Sequence, residues 1–362
     1  MLTNTYHLTI LIIALLLIIY IIYKLKCKKP VIVNNLNKIE NFTTDSNAKK
    51  EVEKLLAKYN GFSNMYNNFG NIQSVKDKFT NMPLHQYCIK SSYNTACSGK
   101  YVSSDMIEHI ISRGCRFLDF EVFYIKNNNI FMPKVAVSTD HNFIILDTHN
   151  SISLDEALST VATTAFSQKS PNNNDPIFIN LRIKSKDSNV YEAVAKSLDS
   201  NLKSIAYTGN ITEQTKLKDI MRKAIVVVDK TIQRDYKDYA NCASGDVKCY
   251  DISNYTNLES GSEYLNLFHY TDLLNHSNQP ALIKDDNIHT TAENMKMAIP
   301  DIIPNTSNPV YKEFVVKHAC QNLFVQYPIV DKPLNVYEDF FNDMMGGIVP
   351  LSVALTYFAK KK

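Results

Sequence analysis

The chain has 362 residues, 45% of them hydrophobic, enough for one large domain with attachments. A net charge of +3, with no clustered basic face interleaved with aromatics, argues against nucleic acid as a partner. Seven cysteines, odd in number and scattered, show no zinc spacing; Cys242 and Cys249 could close a loop, but free thiols in a reducing compartment fit the pattern better.

Tyr6 to Tyr23 is an uncharged run of 18 residues dominated by Leu and Ile, long enough to cross a bilayer core. KLKCKKP follows it, with no small-residue cleavage site, so the run reads as a retained transmembrane anchor within residues 1–30. Lys24, Lys26, Lys28 and Lys29 then predict that the rest of the protein lies on the cytosolic side, with the lipid bilayer as a partner through this helix. Cys27 sits where palmitoylated cysteines occur. Residues 31–82 are polar and Asn-rich, with a helix over Ala48 to Tyr59, and read as a solvated linker or stalk.

From Pro83 the chain alternates strands and helices. In the stretch from Pro83 to Phe123, Met106, Ile107, Ile110 and Ile111 form one apolar helix face, and Gly114 stops the helix. A strand follows in which Leu118, Phe120 and Val122 point one way and Phe117, Asp119, Glu121 and Phe123 the other. Two carboxylates two apart on a strand share a face, ~7 Å apart. Further strands are predicted at 135–139, 176–183, 224–230, 264–270, 280–283 and 322–327, and helices at 153–166, 190–205, 217–222, 292–297, 310–320 and 336–341. This order over residues 83–358 predicts an α/β protein with a (β/α)8 TIM barrel. A doubly wound sheet is the alternative, but neither GxGxxG nor a P-loop is present to support it.

PLHQYCIKSSYNTA (residues 83–96) and GCRFLDFEVF (residues 114–123) carry a family resemblance. They are similar to P-L-x-x-Y-x-I-x-S-S-H-N-T-Y and G-C-R-x-x-E-L-D-x-W, the opening of the X half of eukaryotic phosphoinositide-specific phospholipase C. DPIFINLRI and MRKAIVVVDK resemble the later X-half strands, giving an X-like half of about 83–232. HACQNLFVQYPIVDKPLNVYEDFFNDMMGGIVPLS resembles the end of the Y half, giving a Y-like half of about 260–355. The match also makes Met344 to Phe358 the end of the barrel rather than a second membrane segment.

The resemblance implies phosphodiester cleavage by attack of an inositol hydroxyl, assisted by two histidines and a calcium ion. Carried over, the first histidine position is Tyr93, a hydroxyl that titrates near 10 and does not replace an imidazolium. The second falls on Val137 without gaps, while His141, and His149 further on, lie in a loop where an insertion could restore the role. The implied calcium ligands are Asn94, Asp119 and Glu121, and the fourth ligand position is Arg182. Of two lysines that grip ring phosphates, the first is Val228 and the second is kept as Lys230; the family's Arg and Tyr of S-R-x-Y-P become Met297 and Ile299.

Three readings of the acids stay open. They pair with Arg182 in a satisfied network, they form a weakened cation site with Asn94, or they hold a catalytic Ca2+. The first favours a catalytically impaired phospholipase C-like structural or binding module at a membrane, with a phospholipid headgroup as a possible ligand. The alternative is an active phosphoric diester hydrolase acting on phosphatidylinositol lipids.

Overall fold

The computed structural model describes residues 13–17, 31–32, 41–60, 71–127, 130–239, 250–302 and 306–360. Eight parallel strands form its centre: β1 Ser91–Ser92, β2 Phe117–Asn127, β3 Ile177–Ile183, β4 Ala224–Asp229, β5 Leu258–Ser260, β6 Leu265–His269, β7 Met295–Ile299 and β8 Asn322–Val325. Their spatial order runs β5-β4-β3-β2-β1-β8-β7-β6, and every neighbouring pair along it is parallel. At the remaining seam the Gly261 amide donates to the Leu265 carbonyl at 2.9 Å, so the sheet curls into a nearly closed barrel rather than a doubly wound sheet. At the far end Tyr87–Ile89 pairs antiparallel with Ile348–Pro350 and tucks the two ends of the chain's barrel segment together.

Period-two alternation sorts the side chains into two cores. Phe117, Phe178, Ile225, Val227, Leu265, Met295, Met297 and Phe324 fill the barrel interior. Phe117 sits at the middle of that layer, its ring 4.8 Å from Phe324 and 5.2 Å from Phe178. Leu118, Phe120, Val122 and the odd-numbered residues of β3 face outward into the larger core under the helices. Those helices are α1 Asn41–Asn60, α2 Ser104–Ser112, α3 Leu154–Ala165, α4 Asn189–Leu202, α5 Tyr270–Asn275, α6 Tyr311–His318, α7 Lys332–Asp343 and α8 Leu351–Lys360. α2 begins with the Ser103 hydroxyl accepting from the Met106 amide, and Gly114 at φ 81 ends it in the left-handed conformation that glycine adopts at no steric cost. α8 is barrel structure: Leu351, Ala354, Leu355 and Phe358 are buried in the outer core.

Four expectations are corrected here. Among the described residues no helix is long and apolar enough to cross a membrane, against the single-pass anchor and the cytosolic placement built on it. Of Tyr6 to Tyr23 the described part is residues 13–17, which are helical; the four lysines and Cys27 lie outside the described residues, as do Cys242 and Cys249. Residues 292–297, read as helical, end in strand β7, because Met295, Met297 and Ile299 alternate into the barrel and packing overrides the helix preference of Ala, Glu, Lys and Met. Residues 280–283 form no strand; Ile283 makes only an isolated bridge to Thr290.

The helix of the supposed spacer is also not solvated on its inner side. Val52, Leu55 and Tyr59 of α1 are buried in the outer core beside α2, and Arg113 stacks over the Tyr59 ring at 4.7 Å. Leu55→Ala is expected to cost about 2–4 kcal/mol in a denaturant titration of the full chain, as for a core leucine. A loss within about 0.5 kcal/mol, the range of surface substitutions, would restore the spacer reading.

Candidate functional site

The acids of β2 and the polar residues of β3 meet one layer above the interior aromatics. Parallel register places Asp119 beside Asn180 and Glu121 beside Arg182, all on the inward face. Tyr93 and Asn94 enter from the end of β1, where Asn94 has φ 44, a left-handed conformation that asparagine tolerates better than most residues. Its amide donates to Asp119 Oδ2 at 3.0 Å.

Arg182 lies at the centre of this group. Its Nε donates to Asp119 Oδ1 at 2.9 Å, and one terminal nitrogen to Asp119 Oδ2 at 2.6 Å and Asn94 Oδ1 at 2.7 Å. The other terminal nitrogen donates to Glu121 Oε1 at 2.8 Å and the Tyr93 hydroxyl at 3.2 Å, and the guanidinium carbon lies 4.4 Å from the Tyr93 ring centre. A guanidinium carries five N–H donors, and these contacts use them all. Glu121 Oε2 in turn accepts from the Ser138 amide at 2.8 Å and pairs with Lys184 at 2.9 Å. Asp119 Oδ1 also accepts from Asn180 Nδ2 at 2.8 Å, and Asn180 Oδ1 accepts from Ser260 Oγ at 3.1 Å.

Two acids and two bases therefore close on one another in a site almost without solvent; the Arg182 side chain is 5% exposed. Burial alone would raise the Glu121 carboxyl, but Arg182 and Lys184 outweigh it and hold its pKa below the ordinary value. Burial likewise opposes the Arg182 charge, and Asp119, Tyr93 and Glu121 overcome it, so the guanidinium stays charged. Burial pushes the Tyr93 hydroxyl well above its usual value, further from acid–base work at neutral pH. Burial also raises Asp229, which stands above Val227 on the inward face of β4.

The remaining sequence-derived candidates fall elsewhere. His141 is exposed in the loop after Ile130–Ala136, a strand paired antiparallel with β2, and exposed His149 packs on Tyr101 at 5.3 Å. Val137 lies beside Asn94, Asp119 and Glu121 at a small space whose other lining residues include Cys97, Val102 and Phe120. Lys230 stands at the rim, 4.0 Å from Glu259, which Lys237 approaches to 2.8 Å. Val228 faces the outer core, so the gapless match of this strand sets the wrong face inward, and Asp229 is its residue towards the mouth. Met297 and Ile299 belong to the apolar interior. Sequence reasoning missed Asn180, Lys184, Asp229 and Ser260; the alternation Asn180, Arg182, Lys184 was the available signal for the first two.

This donor set does not fit a calcium ion. The oxygens of Asn94, Asp119 and Glu121 that would ligate it already accept from Arg182, and no three His, Cys, Asp or Glu side chains form a metal-holding group among the described residues.

A family model for phosphatidylinositol-specific phospholipase C, X domain, matches residues 80–230. The crystal structure of PLC21 from L. pealei superposes with a TM-score of 0.53 at 13% identity, covering 75% of this chain and 37% of that one. The fold is that of the PI-PLC-like phosphodiesterases. PLC21 from S. officinalis gives a TM-score of 0.52 at 14% identity, with the same shares of 75% and 37%, so the match spans little over a third of either relative. A calcium-dependent phosphoinositol-specific phospholipase C from Pseudomonas sp. aligns at 10% identity over 76% of this chain and 98% of that one, with a TM-score of 0.43. No curated protein matches the sequence. The matched segment holds β1 to β4 of this barrel, with an arginine between the acids.

Proposed function

We propose that this chain is a divergent, catalytically impaired relative of the eukaryotic-type phosphoinositide phospholipases C, and that its barrel works as a binding or structural module rather than a hydrolase. The observation that carries this reading is the saturation of Arg182, whose five N–H donors are taken by Asp119, Glu121, Asn94 and Tyr93. A guanidinium with a free edge could stabilise a phosphoryl group in place of a metal ion; this one has no edge left to offer. A positioned general acid or base contributes ~10²–10⁴-fold, and no imidazole touches these groups among the described residues. Loss of a metal ion's charge stabilisation removes several kcal/mol more.

The test is release of diacylglycerol or inositol phosphates from mixed phosphoinositide vesicles, with and without calcium, beside calorimetric titration of calcium. Neither turnover nor calcium binding is expected. Calcium-dependent turnover that disappears in Asp119→Ala would overturn the proposal in favour of an active phosphodiesterase. Turnover that depends on His141 would show the second histidine displaced into the loop rather than lost.

A further inference from the structure

α1 stands outside the segment matched by the family model, yet it touches the loop that carries Asn94. One oxygen of Glu51, Oε1, accepts from the Ser98 hydroxyl at 2.8 Å, the Lys100 amide at 2.8 Å and the Tyr101 amide at 3.1 Å. Gly99, between these donors, has φ 138, and a Cβ there would meet Glu51 Oε1 at 3.4 Å. Successive backbone N–H groups converging on one anionic oxygen form a nest, and a side chain of α1 fills it.

The loop has little other freedom. The Cys97 amide donates to the Asn94 carbonyl at 2.8 Å, the Ser98 amide to the Tyr101 carbonyl at 2.9 Å, and Ser103 to Ala96 at 2.9 Å. At the loop's start the left-handed Asn94 accepts at Oδ1 from an Arg182 terminal nitrogen at 2.7 Å. Buried Val52, Leu55 and Tyr59 set α1 at a fixed height on the barrel wall. The Cys97 Sγ donates to the Gly99 carbonyl at 3.5 Å, so hydrogen bonds and the adjoining backbone link Glu51 through residues 97–101 to Asn94 and the guanidinium.

We infer that α1 is a built-in clamp on the mouth of the barrel, and that Glu51 is a positioning residue which holds the Asn94 loop against Arg182. The clamp ties whatever moves the N-terminal segment to the closure of the acid site. This coupling is independent of whether the barrel hydrolyses lipid, since it concerns the geometry of the site and not its turnover.

Amide exchange on the full chain tests it, together with the NMR signal of the Arg182 Nε–H. Glu51→Ala is expected to speed exchange at Lys100, Tyr101 and residues 94–98 by about 10–100-fold, the loss of charge-assisted hydrogen bonds. The same variant should weaken the Arg182 Nε–H signal, while β3 and β4 amides keep their protection. Glu51→Gln, which retains an acceptor oxygen, should restore part of both effects. Two outcomes overturn the clamp: faster exchange spread evenly over the chain, as a global loss of stability would give, or loop exchange that rises while the Arg182 signal stays unchanged.

Discussion

Arg182→Ala is expected to destabilise the protein by about 3–5 kcal/mol at neutral pH, the usual cost of removing one partner from a buried ion pair. The cost comes mostly from what stays behind. Asp119 and Glu121 are 0% and 1% exposed, so deleting the guanidinium leaves two buried carboxylates on adjacent inward positions of one strand. Lys184 still reaches Glu121, but Asp119 keeps only neutral donors, Asn180 and the Asn94 amide. In the variant, burial and mutual repulsion raise the carboxyl pKa values above their unfolded ones. A group with a raised folded pKa destabilises when ionised, so the deficit should be full at pH 7 and shrink as pH falls through those values. Denaturant titrations of variant and unmodified protein at pH 7 and pH 5 measure it; a deficit that grows at the lower pH would contradict the assignment. The variant also frees oxygens of Asn94, Asp119 and Glu121. Millimolar calcium is expected to raise its melting midpoint and to leave that of the unmodified protein unchanged.

A comparable loss, again about 3–5 kcal/mol, is expected for Glu338→Gln. Glu338 of α7 is fully buried, and its Oε2 accepts from Lys90 at 3.0 Å and Arg113 at 2.9 Å. Its Oε1 accepts from the Tyr327 hydroxyl at 2.5 Å, while Lys90 also donates to the Arg113 carbonyl at 2.6 Å. Glutamine keeps the shape but removes the carboxylate charge that Lys90 and Arg113 both face. Burial would raise the Glu338 carboxyl; Arg113, Lys90 and the Tyr327 hydrogen bond outweigh it and hold the pKa at about 2. A depressed folded pKa contributes stability that is present above the unfolded value, near 4.3, and is lost as pH falls towards 2. The gap between variant and unmodified protein should therefore narrow between pH 4.5 and pH 2, because only the unmodified protein loses this contribution. Other carboxylates cancel in the difference. A gap constant over that range would mean that the charge on Glu338 does not stabilise the fold.

Local pattern reached far in this chain. The alternation of residues 117–123 set Asp119 and Glu121 on one face of a strand, and the 3.6-residue spacing of Met106, Ile107, Ile110 and Ile111 set one buried face of α2. Both depend only on residues close in the chain, whose directions follow from backbone period. The order of strands and helices predicted the barrel for the same reason. Where two periods compete within a few residues, as at Met295 to Ile299, local preference named a helix and only the barrel interior decided for a strand.

What closes the site and what supports it are long-range facts. Arg182 reaches Asp119 across 63 positions and Asn94 across 88, through the parallel pairing of β2 with β3 and of β1 with β2. Lys90 meets Glu338 across 248 positions, and Glu51 reaches the Lys100 amide across 49 from a helix read as part of a solvated linker. The hydrophobic run near the N-terminus read as a span because hydropathy sums over neighbours alone; no helix among the described residues has the length to bear it out. The sequence by itself thus determined which side chains share a strand face or a helix stripe. The tertiary structure decided which charges meet, because a buried charge settles on whatever partner the closed barrel brings within hydrogen-bonding distance, and chain separation has no bearing on that distance.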